Sequence, residues 1–156
     1  MTSQQVIDLP ADRMEGDVVV AFFFQDQRPL EGASGLLDWR LNGRLTELLA
    51  EKLVEGWSGE RVIVANNGKL NADWVLFIGG GSIHGWQAYV VRALLEQVLE
   101  ICRNAGFRRV SLCFPDDCGL SRTDLQSILN NILQDMGSAA PDCLVSCAEI
   151  KPVLAV

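Results

Sequence analysis

The chain has 156 residues with 49% hydrophobic and 21% charged side chains, enough for one domain over residues 1–156 with a substantial core. Its formal net charge of −7 repels phosphate backbones and anionic lipid surfaces, so neither nucleic acid nor membrane is an expected partner. The longest apolar run, Val18 to Phe24, is too short to span a bilayer, and the opening MTSQQVIDLPADRMEGD lacks the pattern of a secretory signal, so a cytoplasmic location is expected.

Val6 to Leu9 reads as a short edge strand. Asp17 to Phe24, DVVVAFFF, is apolar without alternation, the pattern of a central strand covered on both faces. Gln25 to Gly32 is a polar loop. From Ser34, a candidate N-cap, the period becomes helical. Leu37, Leu41, Leu45, Leu48, Leu49 and Leu53 share one broad face, and Arg40, Arg44, Glu47 and Glu51 share another. Asp38 lies early enough to favour the positive end of that helix. Gly56 and Gly59 close the segment. Arg61 to Asn66 and Trp74 to Ile78 read as antiparallel strands around the Asn67-Gly68 turn signal.

Gly79, Gly80, Gly81 and Ser82 then lead into a helix whose apolar face carries Val90, Val91, Leu94, Leu95, Val98, Leu99, Ile101 and Cys102. Asn104-Ala105-Gly106 ends it. Arg109 to Phe114 is a strand and Pro115 to Leu120 a loop. Ser121 opens a further helix in a capping-box-like pattern with Asp124, and that helix closes at Gly137. Cys143 to Ile150 is the last strand. Strands alternating with helices, plus one hairpin, predict a three-layer α/β/α domain with a mixed sheet of about five to six strands.

Few residues look like chemistry. The five cysteines, Cys102, Cys113, Cys118, Cys143 and Cys147, are odd in number and lack zinc-ribbon spacing, so they are expected to pack as small apolar residues and hold no metal. The Gly79–Ser82 loop joins strand to helix, where backbone amides and the helix dipole could hold an anion. It lacks a P-loop lysine and is not G-x-G-x-x-G. It stays a candidate ligand loop beside the plainer reading as a turn. His84, the single histidine, is expected at a helix start or on the surface. Asp116 and Asp117 read as a solvated loop. Asp38, Trp39 and Arg40 point in different directions on a helix, and no nucleophile–base pair is visible among them, so they are expected to fix the first helix. No catalytic residue and no cofactor is expected.

The run from Asp17 to Ser82 carries a resemblance. Its early apolar strand, RPLEGASGLLDWRLNGRL at Arg28 to Leu45, a G-x-x-G-E turn at Gly56 to Glu60, and a strand ending in glycines resemble the N-terminal domain of the leucyl aminopeptidase family. The resemblance covers about residues 6–105 and beyond that rests on element order. It implies a macro-domain-like fold without catalysis, because that family's two-metal site lies in a separate C-terminal domain. The Asn-Thr-Asp-Ala-Glu-Gly motif of that domain is absent from this sequence. It also implies a stand-alone assembly or interaction module, as a homo-oligomer or a peptidase subunit. The alternative is a macro-type domain binding ADP-ribose or another nucleotide at Gly79–Ser82. Against it, a whole strand separates IVANNGKL from GGGSIHG, whereas macro domains run almost directly from one to the other.

Overall fold

The computed structural model of the protein describes residues 4–115 and 118–147. Among the described residues, six strands form one mixed sheet in the order β1-β6-β5-β2-β4-β3. They are β1 (Gln4–Val6), β2 (Gly16–Phe23), β3 (Arg61–Ala65), β4 (Ala72–Gly79), β5 (Arg109–Cys113) and β6 (Asp142–Ser146). All neighbours are parallel except β3, which runs antiparallel to β4. Four α-helices cover the sheet: α1 (Gly32–Arg40), α2 (Arg44–Ala50), α3 (Ala88–Asn104) and α4 (Arg122–Met136).

β2 explains the layering. It pairs with β4 on one side and β5 on the other, so both of its edges are used. Its side chains alternate between two cores. Val18, Val20, Phe22 and Phe24 pack with Leu94, Leu95 and Val98 of α3 and Leu125 and Leu129 of α4. Val19, Ala21 and Phe23 pack with Leu37 of α1, Leu45 of α2 and Met14. Each buried Val, Leu, Phe or Met among them contributes about 1.5–3 kcal/mol relative to exposure. The three-layer expectation and the strand count are met.

The helical segment after Ser34 differs from expectation. It is two helices, broken where Asn42 and Gly43 take φ of 60° and 76°. Asn and Gly are the residues that reach this left-handed region most cheaply. Ser34 lies inside α1, buried, with its hydroxyl donating to the Glu31 carbonyl at 3.2 Å; the N-cap position is Glu31. Leu45 is fully buried, but Leu53 lies past α2 and is exposed. The leucine spacing persists through a break it does not reveal.

Other boundaries move by a few residues. The first edge strand is Gln4–Val6, earlier than the expected Val6 to Leu9. The last strand stops at Ser146, and residues 148–150 of its expected span lie outside the described residues. The β3–β4 connection is longer than a two-residue hairpin. Asn66 Oδ1 accepts from the Gly68 and Leu70 amides, and Asn67 Oδ1 from Lys69, so two Asx turns shape it. Ser121 caps α4 as expected, its hydroxyl accepting from the Asp124 amide at 3.1 Å. At the other end of the sheet, the Asp17 carboxylate accepts from the Arg109 and Arg108 amides, which hold its pKa below the usual value.

Asp38 owes its place to the break. It sits at the end of α1, buried, and its Oδ1 accepts from the Leu45 amide at 2.7 Å while Oδ2 accepts from the Thr46 hydroxyl at 2.5 Å. It therefore caps α2, the following helix, rather than its own. Asp38→Ala should cost about 1–2 kcal/mol of stability in urea unfolding, the range for loss of an N-cap, and Asp38→Asn less. Leu45→Ala, which opens a cavity beneath the same turn, should cost about 2–5 kcal/mol. Glu47→Ala, on the exposed face beside Arg44, should change stability by less than about 0.5 kcal/mol in the same measurement.

Candidate functional site

In sheets of this kind, ligands bind where the chain leaves the carboxyl ends of the central strands. The exits of β2, β4, β5 and β6 share that edge, and around the Gly79–Ser82 loop it is built from three loops. They are residues 24–28 after β2, residues 55–60 before β3, and residues 79–83 after β4.

The three loops are bonded to one another through their backbones. The Gly79 amide donates to the Glu60 carbonyl at 2.7 Å, Gly80 to Phe23 at 2.8 Å and Gly81 to Gly56 at 2.8 Å. The carbonyls are used as well, Gly79 accepting from the Gly59 amide and Gly81 from the Gln25 amide, both at 2.9 Å. Glu60 Oε1 accepts from the amides of Glu55, Gly56 and Trp57, at 3.0, 2.7 and 2.7 Å. The guanidinium of Arg28 donates to the carbonyls of Phe24, Gln27 and Glu55.

The glycines are required by this close approach. A Cβ on Gly79 would lie 2.1 Å from the Trp57 carbonyl oxygen. Gly56 has φ of +97°, and a Cβ there would lie 2.7 Å from the Phe24 carbonyl carbon and the Gln25 nitrogen. Side chains at these points would push the loops apart.

Beneath the loops lies an aromatic cluster. Trp86 is buried, and its indole Nε1 donates to the Gly80 carbonyl at 2.9 Å. Its ring meets Phe22 and Phe24 edge-on, each at 5.1 Å between centroids, and Phe22 stacks on Phe114 at 6.0 Å. Trp86 thus fills the space under the glycine loop and satisfies its middle carbonyl.

Ser82 faces outward. Its hydroxyl donates to Asp26 Oδ2 at 2.7 Å, and the Ile83 amide donates to Oδ1 at 3.1 Å. Desolvation raises the pKa of Asp26, but the Ser82 and Ile83 hydrogen bonds and the nearby His84 together hold it below the ordinary carboxylate value. The pair latches the loop after β2 to the loop after β4. Outside it lies a cleft of about 470 Å³ lined by Asp26, Gln27, Arg28, Glu31, Ile83 and His84. His84 is exposed in a short 3-10 turn, Ile83–Gly85.

The remaining candidate residues lie apart from this edge. Trp39 is 67% exposed, and the Arg40 guanidinium sits 4.8 Å from its ring centroid. Arg40 pairs with Asp12 at 2.9 Å, not with the charged face of the next helix. Asp38 thus ties α1 to α2, and Arg40 ties α1 to Asp12 in the segment before β2. Cys102, Cys113, Cys118 and Cys143 are buried, and burial pushes the thiols of Cys102, Cys113 and Cys143 up to about 12. Among the described residues no three His, Cys, Asp or Glu side chains are grouped to hold a metal ion. Asp116 and Asp117 lie outside the described residues. The sequence reading missed Asp26, Arg28 and Trp86. Arg28 before a proline and a tryptophan four residues beyond Ser82 were the available signals.

Comparison with known proteins fits this architecture. The family model described as "Cytosol aminopeptidase family, N-terminal domain" matches residues 18–134. A probable cytosol aminopeptidase of Sulfurihydrogenibium sp. (strain YO3AOP1) is 26% identical over 88 residues, covering 56% of this chain and 18% of that protein. The chain spans about a fifth of the length of the curated relatives it matches. Among solved structures, a tomato leucine aminopeptidase mutant superposes with TM-score 0.72 at 15% identity, covering 98% of this chain and 34% of that one. The Trypanosoma brucei macrodomain in complex with ADP superposes with TM-score 0.73 at 17% identity, covering 94% of this chain and 64% of that one. These likenesses show a macro-domain-like fold. With the family model running from the first residues of β2 almost to the end of α4, the chain belongs to the cytosol aminopeptidase family through that family's N-terminal domain.

Proposed function

We propose that this chain is a non-catalytic module of the aminopeptidase N-terminal type that works by assembly, with itself or with a peptidase subunit. The supporting observation is the tied carboxyl edge: the amides of Gly79, Gly80 and Gly81 all donate to carbonyls of the fold. A loop that cradles phosphate needs such amides free and convergent. The Ser82 hydroxyl is likewise engaged, by Asp26. On this reading the Gly79–Ser82 loop is a packing device, and no nucleotide binds there. The module works in the cytoplasm, in keeping with relatives named cytosol aminopeptidases.

Two measurements test this. ADP-ribose titrated calorimetrically into the protein should give no saturable heat. A dissociation constant near or below 1 μM, about −8 kcal/mol, would instead establish a nucleotide-binding macro domain.

Leucine p-nitroanilide with manganese or zinc should be turned over no faster than in a mock purification. Two-metal hydrolysis needs acids that converge on a pair of ions about 3.5–4 Å apart. The comparison protein carries His84→Ala, Asp116→Ala and Asp117→Ala. Turnover that copurifies with the native chain and vanishes in that variant would refute the non-catalytic reading.

A further inference from the structure

β3 is one of the two outer strands of the sheet, longer than the three-residue β1 at the other edge, and among the described residues nothing pairs with its free side. Its pairing with β4 fixes which groups are free. The Gly79 amide donates to the Glu60 carbonyl and the Asn66 amide to Asp73, so residues 60, 62, 64 and 66 face β4. By the alternation of an antiparallel ladder, the amides and carbonyls of Arg61, Ile63 and Ala65 point outward. The strand has no proline, and Arg61 is its one charged residue. These are the properties of an edge that accepts another strand.

The side chains agree with the backbone. Arg61, Ile63 and Ala65 lie on the α3 side of the sheet, opposite Ile78, Leu76 and Trp74 of β4 in turn. Ile63 is 51% exposed and Trp74 40% exposed, although Leu76 and Ile78 on the same face are buried. Trp57, just before β3, and Leu53, just after α2, are exposed as well. Of the seven large apolar side chains exposed among the described residues, these four lie in segments bordering this edge, and Leu9, Trp39 and Tyr89 lie elsewhere.

We propose that β3 pairs antiparallel with β3 of a second copy of this chain, about a two-fold axis at Ile63. The proposal rests on the assembly reading above and names its surface and partner. In this register Ile63 meets Ile63 of the second copy, and Arg61 meets Ala65. Each of these pairs joins outward-pointing residues, so each exchanges two backbone hydrogen bonds. The arrangement is self-complementary, as a two-fold interface must be. It sets no arginine against arginine. Arg61 is instead carried over Ala65 of the second copy toward that copy's Trp74, the placement of a cation over an indole face. The acidic excess of the chain is not concentrated at this contact: residues 52–73 hold three basic side chains, Lys52, Arg61 and Lys69, against three acidic ones, Glu55, Glu60 and Asp73. A foreign acidic strand would gain from Arg61 but leave Ile63 and Trp74 without apolar partners.

A five-residue strand pair with its flanking side chains buries less than a standard stable interface of about 1,200–2,000 Å², so the dimer should be weak, with a dissociation constant on the order of tens of micromolar. Sedimentation velocity on the native chain from roughly 5 to 500 μM should show a monomer–dimer equilibrium. Hydrogen exchange across residues 61–65 should slow as concentration rises. Ile63→Pro removes an outward amide and no bond to β4, and Ile63→Lys places charge on the axis. Each should weaken the dimer at least about tenfold. Circular dichroism should show both variants folded, and Ile63→Lys keeps the test decisive if the proline variant does not fold. A dimer that neither variant weakens would overturn the β3 edge but leave the assembly reading standing. A native chain that stays monomeric across the range would overturn the proposal. Metal-dependent turnover by the native chain would count against the assembly reading itself, whatever the state of the edge.

Discussion

The fold depends on one strand that has no free side. β2 is buried on both faces and paired on both edges, so every other element is placed relative to it. Parallel pairing on both sides forces the chain to cross the sheet between β4 and β5, and α3 makes that crossing. It also brings the exits of β2 and β4 together at one edge. Those exits are bonded to each other and to the loop before β3, and the glycines are there because no Cβ fits between them.

That packing bears on chemistry. A carboxyl edge can present its amides to a ligand, or it can use them to hold its loops together. Here Gly79, Gly80 and Gly81 donate to Glu60, Phe23 and Gly56, while Trp86 occupies the space below and donates to Gly80. Opening the loop to an anion would break bonds that are already well formed and expose Phe22 and Phe24. The outer latch of Ser82 on Asp26 is less costly to open, because both residues are exposed. The cleft beside it is polar and mixed in charge, with Asp26 and Glu31 against Arg28. Nothing in that lining sets one sign of charge to attract a phosphate.

The parts legible in the sequence were those decided locally. DVVVAFFF had to be a strand covered on both faces, and the apolar stripes of α3 and α4 fixed their orientation. The parts that were not legible depend on residues far apart in the chain. The uses of the Gly79–Gly81 amides come from positions 23, 56 and 60, which no local pattern links to them. Asp26 gains its role from Ser82 and Ile83, more than fifty residues away. The break at Asn42-Gly43 is a different case. Its turn signal was present, but Leu37, Leu41, Leu45 and Leu49 keep helical spacing through it, so periodicity outweighed the dipeptide. Asp38 then looked like a residue of one helix when it is the cap of the next.

The two kinds of edge in this sheet are used differently. At the exits of β2 and β4, on the carboxyl edge where such folds build ligand sites, the backbone closes on itself. The lateral edge at β3 keeps hydrogen-bonding capacity, since Arg61, Ile63 and Ala65 turn their amides and carbonyls outward. Natural edge strands are commonly blunted by proline, lysine, a bulge or a covering loop. RVIVA has a single arginine at one end and an exposed isoleucine at its centre. An arginine at the end of a two-fold strand pair meets a small neutral residue rather than its own copy, so here it guards against misregistered pairing without preventing the symmetric one. A shift by two residues would bring Arg61 opposite Ile63 and take Ile63 away from its counterpart, losing the central apolar contact. The same residue that discourages random aggregation therefore selects one register, and a weak interface becomes a specific one.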